Sequence, residues 1–251
     1  MPLRVLILGG TTEASALAKL VGPDSRLDAT LSFAGRTANP APQPIATRSG
    51  GFGGLEGLVQ YLEEHRIEAV VDATHPFADQ MSAHAVAACG QAHVALASLT
   101  RPQWERVEGD RWQIVPDTDA AAVALGTKPC RVFLSLGRQD LPVFSVSPQH
   151  HYIARVIEPP VGTLPPDLRL IQARGPFDKT AERRLLRDEA IDVVVSKNAG
   201  GMATYAKIEA ARALGLLVIM IARPLKPAGH VVNSPEEALA WLHDAASRRG
   251  V

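Results

Sequence analysis

The chain has 251 residues, 46% of them hydrophobic and 21% charged, with a formal net charge of zero. These values describe a globular protein with apolar material for two small cores, and they disfavour a nucleic acid or an anionic membrane as partner. Only six of the 26 basic residues are lysine; the planar fork of arginine suits carboxylates and phosphates, although a GC-rich coding sequence produces the same bias. Cys89 and Cys130 lie in no CxxC or metal-like cluster and read as small buried hydrophobes. The start, Met-Pro-Leu-Arg, runs straight into a strand without a signal-peptide pattern, and no apolar run approaches membrane-spanning length, so a cytoplasmic protein is expected.

In chain order, residues 3–8 form a run, apolar except for Arg4, that ends in Gly9-Gly10 and predicts a buried parallel strand. Thr11 or Thr12 caps a helix to about Leu20, with Glu13 in its first turn. Residues 29–33 predict a second strand, followed by Gly35-Arg36-Thr37, a proline-rich loop and the run Gly50-Gly51-Phe52-Gly53-Gly54. Residues 55–65 predict a helix, 69–73 a strand before Thr74-His75-Pro76-Phe77, 77–89 an alanine-rich helix and 94–98 a strand. Residues 101–116, with Trp104 and Trp112, break this rhythm. The domains are therefore expected at 1–105 and 106–251.

The second half repeats the alternation. Strands are predicted at 131–136, 152–156, 193–196 and 216–221, and helices at 118–125, 178–189, 202–214 and 235–247, the last capped by Ser234. Strands alternating with helices imply an α/β protein with parallel sheets covered on both faces.

Ligands of such sheets bind beyond the carboxyl ends of the strands. At the first of these ends, Gly9, Gly10, Thr11, Thr12 and Glu13 open a helix, and glycine with a helix N-terminus suits a phosphate. The pattern is not GxGxxG, and a tight turn with an N-cap looks the same. Arg36, with Thr37, follows the second strand, where an arginine favours the 2′-phosphate of NADP over the free hydroxyl of NAD. His75 follows the third strand as proton donor, substrate anchor or simply the residue that starts a helix. In the second half, Ser196-Lys197-Asn198-Ala199-Gly200-Gly201 suits an anion or a nicotinamide amide. Tyr205 has Glu209 four residues on, not lysine, which disfavours a short-chain dehydrogenase. The eight histidines show no ligand spacing, and no metal site is expected.

Taken together, Ile7–Ala14, Gly35-Arg36-Thr37, residues 51–54, Asp72-Ala-Thr-His75-Pro-Phe-Ala78, Arg101-Pro102 with Trp104, Arg174-Gly-Pro-Phe177, residues 196–201 and Ala222-Arg223-Pro224 resemble the precorrin-6A reductase family. The similarity runs in order over almost the whole chain. It implies two Rossmann-like domains with the active site in the cleft between them. It also implies NADPH-dependent reduction of one double bond of the precorrin-6A macrocycle to give precorrin-6B, a step of cobalamin biosynthesis.

The cofactor is expected at Gly9, Gly10, Thr11, Thr12, Glu13, Arg36, Thr37, Ser196, Asn198, Ala199 and Gly200. His75 and Lys197 are the expected catalytic residues, facing each other across the two domains near the nicotinamide, because each follows an apolar strand at the end where ligands bind; the proton would come from His75, Lys197 or water. Precorrins carry many acetate and propionate groups. Arg101, Arg138, Arg155, Arg174 and Arg223, near predicted strand ends or edges, could hold them bidentately. The expected partner is a small tetrapyrrole bound by a monomer. A non-catalytic NADP-binding regulator and a two-domain nucleotide-sugar enzyme are the alternatives.

Overall fold

The computed structural model describes residues 1–35, 41–226 and 229–248. The first half contains β1 (Leu3–Leu8), α1 (Thr12–Val21), β2 (Leu27–Phe33), β3 (Ala46–Ser49), α2 (Gly54–Glu64), β4 (Ala69–Asp72), α3 (Asp79–Gln91) and β5 (Ala95–Leu99). There follow β6 (Arg111–Val115), α4 (Thr118–Ala124), β7 (Arg131–Ser135), a 3-10 helix (Leu141–Val146), β8 (His151–Val156), β9 (Leu168–Gln172) and α5 (Lys179–Asp188). The chain ends with β10 (Val193–Lys197), α6 (Ala206–Ala213), β11 (Leu217–Ile221), β12 (His230–Val232) and α7 (Pro235–Ser247).

Two compact units result, one of Met1–Pro102 with Pro224–Val251 and one of Gln103–Arg223. Unit 1 is a six-stranded sheet in the order β12-β5-β4-β1-β2-β3, with every pair parallel. β1 lies inside it, so both of its faces are covered and its run from Val5 to Leu8 is apolar. Leu3, Val5 and Ile7 pack with Leu17 of α1 and Leu242 of α7, whereas Leu6 and Leu8 pack with Leu58 and Leu62 of α2. The two-residue side-chain period of a strand separates these layers. Unit 2 is a second parallel six-stranded sheet, in the order β6-β11-β10-β7-β8-β9. Phe133, Val194 and Met220 of its sheet pack with Leu186 of α5 and Ile208 of α6.

The α/β architecture matches the sequence reading, but the second boundary does not. The segment expected to close the second domain belongs to unit 1. β12 pairs parallel with β5, Val232 against Leu99, and α7 buries Ala238 and Leu242 in the layer that holds α1. A three-residue strand carries almost no periodic signal, which hid this return. β3 and β6 were missed for a related reason. They are sheet edges with largely exposed residues, Ala46, Thr47 and Ser49 in one and Arg111, Gln113 and Ile114 in the other. α3 starts two residues later than predicted, because Ala78 N–H donates to the His75 carbonyl (2.8 Å) in a turn. α6 starts four later, after a turn in which Tyr205 N–H donates to the Met202 carbonyl.

Candidate active site

In unit 1 the strand ends carry four linked features. After β1, Gly9 N–H donates to the Ser32 carbonyl of β2 (2.9 Å) and Ala73 N–H donates to the Leu8 carbonyl (2.9 Å). A Cβ at Gly9 would lie 2.6 Å from Leu31 Cδ1, so this glycine faces the core. Gly10 is exposed, has φ +120°, and a Cβ there would meet nothing within 4 Å. The turn is therefore tight on its inner side and open on its outer side. Thr11 is the N-cap: its hydroxyl accepts from Ala14 N–H (3.1 Å) and donates to the Ala73 carbonyl (2.7 Å). Exposed Thr12 donates to Glu13 Oε2 (3.1 Å). Glu13, in the first turn of α1, also accepts from Arg101 at 2.6 Å. The two residues expected on opposite ligands, Glu13 on the cofactor and Arg101 on the substrate, thus form one ion pair.

Arg36 and Thr37 lie outside the described residues. Beside them, Gly35 has φ +72°, and Gly50 N–H donates to the Phe33 carbonyl (2.9 Å). Sequence reasoning missed Arg48 at the end of β3. Its guanidinium lies 4.0 Å from the Phe52 ring centroid and donates to Ser32 Oγ (2.7 Å) and to the Gly50 and Gly51 carbonyls (each 3.1 Å). It thereby fixes the glycine loop before α2.

At the end of β4, Asp72 is buried (1% exposed) and saturated with donors. Oδ1 accepts from Thr74 N–H (3.0 Å) and Thr74 Oγ1 (2.5 Å); Oδ2 accepts from Ser82 Oγ (2.5 Å) and pairs with Lys226 Nζ (3.2 Å). Lys226 comes from the segment that returns to unit 1, and nothing in the local sequence marks it. This network sets the start of the loop that carries His75. The His75 ring is half-buried, and its Nδ1 faces Phe77 N–H at 3.3 Å. That geometry assigns Nδ1 as acceptor and places the proton of the neutral ring on Nε2.

In unit 2, Lys197 ends β10, and its Nζ donates to both carboxylate oxygens of Asp140, each at 2.8 Å. Asp140 follows Gly137-Arg138-Gln139 at the end of β7; sequence reasoning stopped at Arg138 and missed it. The rest of the loop is committed inward. Ser196 is fully buried and donates to the Lys197 carbonyl (3.2 Å). Asn198 clamps the Trp104 backbone, accepting from its N–H (2.8 Å) and donating to its carbonyl (3.0 Å). Trp104 Nε1 donates to the Gly201 carbonyl (2.8 Å). Ala199 and Gly200 are buried, and Gly200 has φ +68°.

The arginines expected to hold substrate carboxylates divide in the same way. Arg223 donates to the Asn198 and Ala199 carbonyls (3.4 and 3.1 Å), and Arg138 to Glu158 (2.9 Å) and the Pro159 carbonyl (3.3 Å). Arg155 is buried against Glu182, with Nη2 to Oε2 at 2.8 Å, and lies 3.6 Å from the Phe177 ring centroid. Its guanidinium serves a buried pair. Arg174, past the end of β9, is exposed and has no recorded partner among the described residues.

The thiols carry no visible chemistry. Burial, reinforced by Asp72, pushes Cys89 up to about 12, and burial raises Cys130. Among the described residues no group of three or more His, Cys, Asp or Glu is placed to hold a metal, and no helix is long and apolar enough to cross a membrane.

Two parallel six-stranded sheets, with glycine turns and paired cations at their carboxyl ends, define an α/β protein of Rossmann-like class. Residues 4–243 match the model of the precorrin-6x reductase CbiJ/CobK family. The chain belongs to that family. It is 53% identical to the precorrin-6A reductase of Rhodobacter capsulatus, with 99% of each chain covered. It is 45% identical to that of Mycobacterium tuberculosis, over 98% of this chain and 99% of the relative. A solved structure of CobK precorrin-6A reductase superposes with a TM-score of 0.91 at 52% identity, over 97% of each chain.

Proposed function

We propose that this protein reduces precorrin-6A, in its metal-free form, to precorrin-6B in cobalamin biosynthesis, with NADPH as the hydride donor. The observation that carries the reading is the 53% identity to a precorrin-6A reductase across 99% of both chains. The residues at the end of β1 fit a pyridine nucleotide. The outer face of Gly10 is open to a phosphate, and α1 starts directly behind it. The backbone of Gly9–Thr12 would hold the pyrophosphate, and Arg36 with Thr37 the adenosine phosphate. NADPH supplies a hydride when bound.

The protein's own part is to hold the macrocycle and to deliver a proton to the carbon beside the one reduced. Lys197 is suited to this, because Asp140 fixes its ammonium from both carboxylate oxygens. His75, with Nδ1 turned to the backbone, offers Nε2–H as the alternative donor. Exposed Arg174 is the arginine best suited to a substrate carboxylate.

The test is oxidation of NADPH, followed by absorbance, on addition of precorrin-6A or its cobalt complex. Turnover with the metal-free substrate and formation of the doubly reduced carbon pair are expected. Binding of NADPH without turnover of either tetrapyrrole would favour the regulator; no binding of NADPH would remove the cofactor assignment.

A further inference from the structure

We propose that Arg101 governs cofactor affinity by neutralising Glu13, and is not a ligand of substrate carboxylates; the proposal rests on the reading that nucleotide phosphates lie at the start of α1. The argument begins with an electrostatic conflict. A carboxylate in the first turn of a helix is favourable toward the helix dipole while that end is otherwise empty. Glu13 occupies that turn, immediately behind the open glycine turn. A pyrophosphate held at the same helix end would face a like charge. Like charges repel, and the more strongly where solvent is excluded.

The structure places the counter-charge on this carboxylate. Arg101 lies two residues beyond the end of β5, on a loop that also carries Thr100. From there its Nη1 reaches Glu13 Oε2 at 2.6 Å, across the end of β4, against a surface formed by Thr11, Thr74 and Pro76. Both side chains are mostly buried, 15% and 20% exposed, so solvent screens the pair incompletely. Glu13 Oε2 is further held by the Thr12 hydroxyl. The carboxylate is thus fixed, neutralised and unable to present an uncompensated charge to an incoming phosphate. Arg101 acts through Glu13 and is a positioning residue of the nucleotide end.

The test is the affinity of NADP⁺ for the full chain, measured by calorimetry, in a two-residue cycle. Arg101→Ala is expected to weaken binding by about tenfold or more, because it exposes the phosphates to Glu13. Glu13→Gln added to Arg101→Ala should restore affinity to within about threefold of wild type. A double variant as weak as Arg101→Ala, or an Arg101→Ala affinity unchanged from wild type, overturns the proposal. Glu13→Gln alone removes the repelling charge and leaves the cation, so it should bind at least as tightly as wild type. Weaker binding by this variant overturns the proposal even if Arg101→Ala does not fold. In turnover, Arg101→Ala should leave the precorrin-6A KM unchanged; a raised KM with unchanged NADP⁺ affinity would return Arg101 to the substrate. If wild type binds no NADP⁺, the cofactor reading fails and this proposal with it.

Discussion

The loop after β1 and the loop after β10 are built from the same kinds of residue: two glycines, hydroxyl or amide side chains and a charged group. Their side chains do opposite things. After β1, Gly10 is exposed and its missing Cβ leaves open space, so the turn presents backbone to whatever approaches. After β10, Ser196 and Asn198 point inward, Gly200 is buried, and Arg223 takes the outward carbonyls of Asn198 and Ala199. One loop is an open cradle and the other a locked platform that projects Lys197. Glycine-rich loops at strand ends are therefore not interchangeable as evidence for a phosphate site; the direction of the polar side chains decides between them.

The strongest way to break this comparison is to remove the group each unit presents. If the platform exists to hold a proton donor, Lys197→Ala should lower kcat by about 10²–10⁴-fold, the usual contribution of general acid catalysis. Asp140→Asn should give a smaller loss of the same kind, since the lysine remains but loses its two-oxygen anchor. His75→Ala should then act mainly on KM. Steady-state kinetics reverse the assignment if His75→Ala takes the large kcat loss and Lys197→Ala changes only KM.

The second largest effect is on stability. Asn198→Ala removes both hydrogen bonds to the Trp104 backbone and leaves a buried N–H and carbonyl without partners, a cost of about 2–4 kcal/mol. Denaturant unfolding should show that loss while NADP⁺ affinity of the folded fraction stays at the wild-type value. A stable variant with weakened NADP⁺ binding would make Asn198 a cofactor ligand instead.

How far this contrast could be read from the sequence depends on the kind of signal. The apolar runs of β1, β4, β7 and β10 and the Thr11 and Ser234 caps stand in the sequence because burial on both faces and helix capping each dictate residue type locally. Family resemblance supplied the reductase. What the chain order conceals is pairing over long distance. Lys226 reaches Asp72, Arg101 reaches Glu13, and Asn198 reaches the Trp104 backbone, across 154, 88 and 94 residues. Arg101 and Asn198 look like ligand-binding candidates until their partners are known, whereas nothing local marks Lys226, and arginine-rich sequence multiplies such candidates.

A finer test compares the glycines themselves. Gly10→Ala places a methyl on the open outer face and a non-glycine residue at φ +120°, and it should weaken NADP⁺ binding with a stability cost of about 1–2 kcal/mol. Gly200→Ala, at φ +68° in the buried loop, should cost a similar amount of stability and leave NADP⁺ affinity unchanged. Equal loss of affinity in both variants would erase the distinction between cradle and platform.

The smallest expected effect concerns the C-terminal return, which makes unit 1 depend on residues distant in the chain. Asp24, just before β2, accepts from Arg26 (2.8 Å) and lies 2.6 Å from His243 Nε2 of α7, so it fastens the last helix to the first half of the chain. The Arg26 guanidinium, with a smaller contribution from His243, holds the Asp24 carboxyl well below its ordinary value of 3.8. A carboxyl depressed in the folded state stabilises above the unfolded value, and its contribution is lost as pH falls from there through the folded value. Wild type should therefore melt at a higher temperature than Asp24→Asn at neutral pH, with the gap closing only below about pH 4. Unit 2 contains neither Asp24 nor α7, so the gap should appear in hydrogen exchange of α1, β2 and α7 and not of β7 or β10. A gap that persists unchanged to the lowest pH would mean that the charge of Asp24 is not what fastens α7.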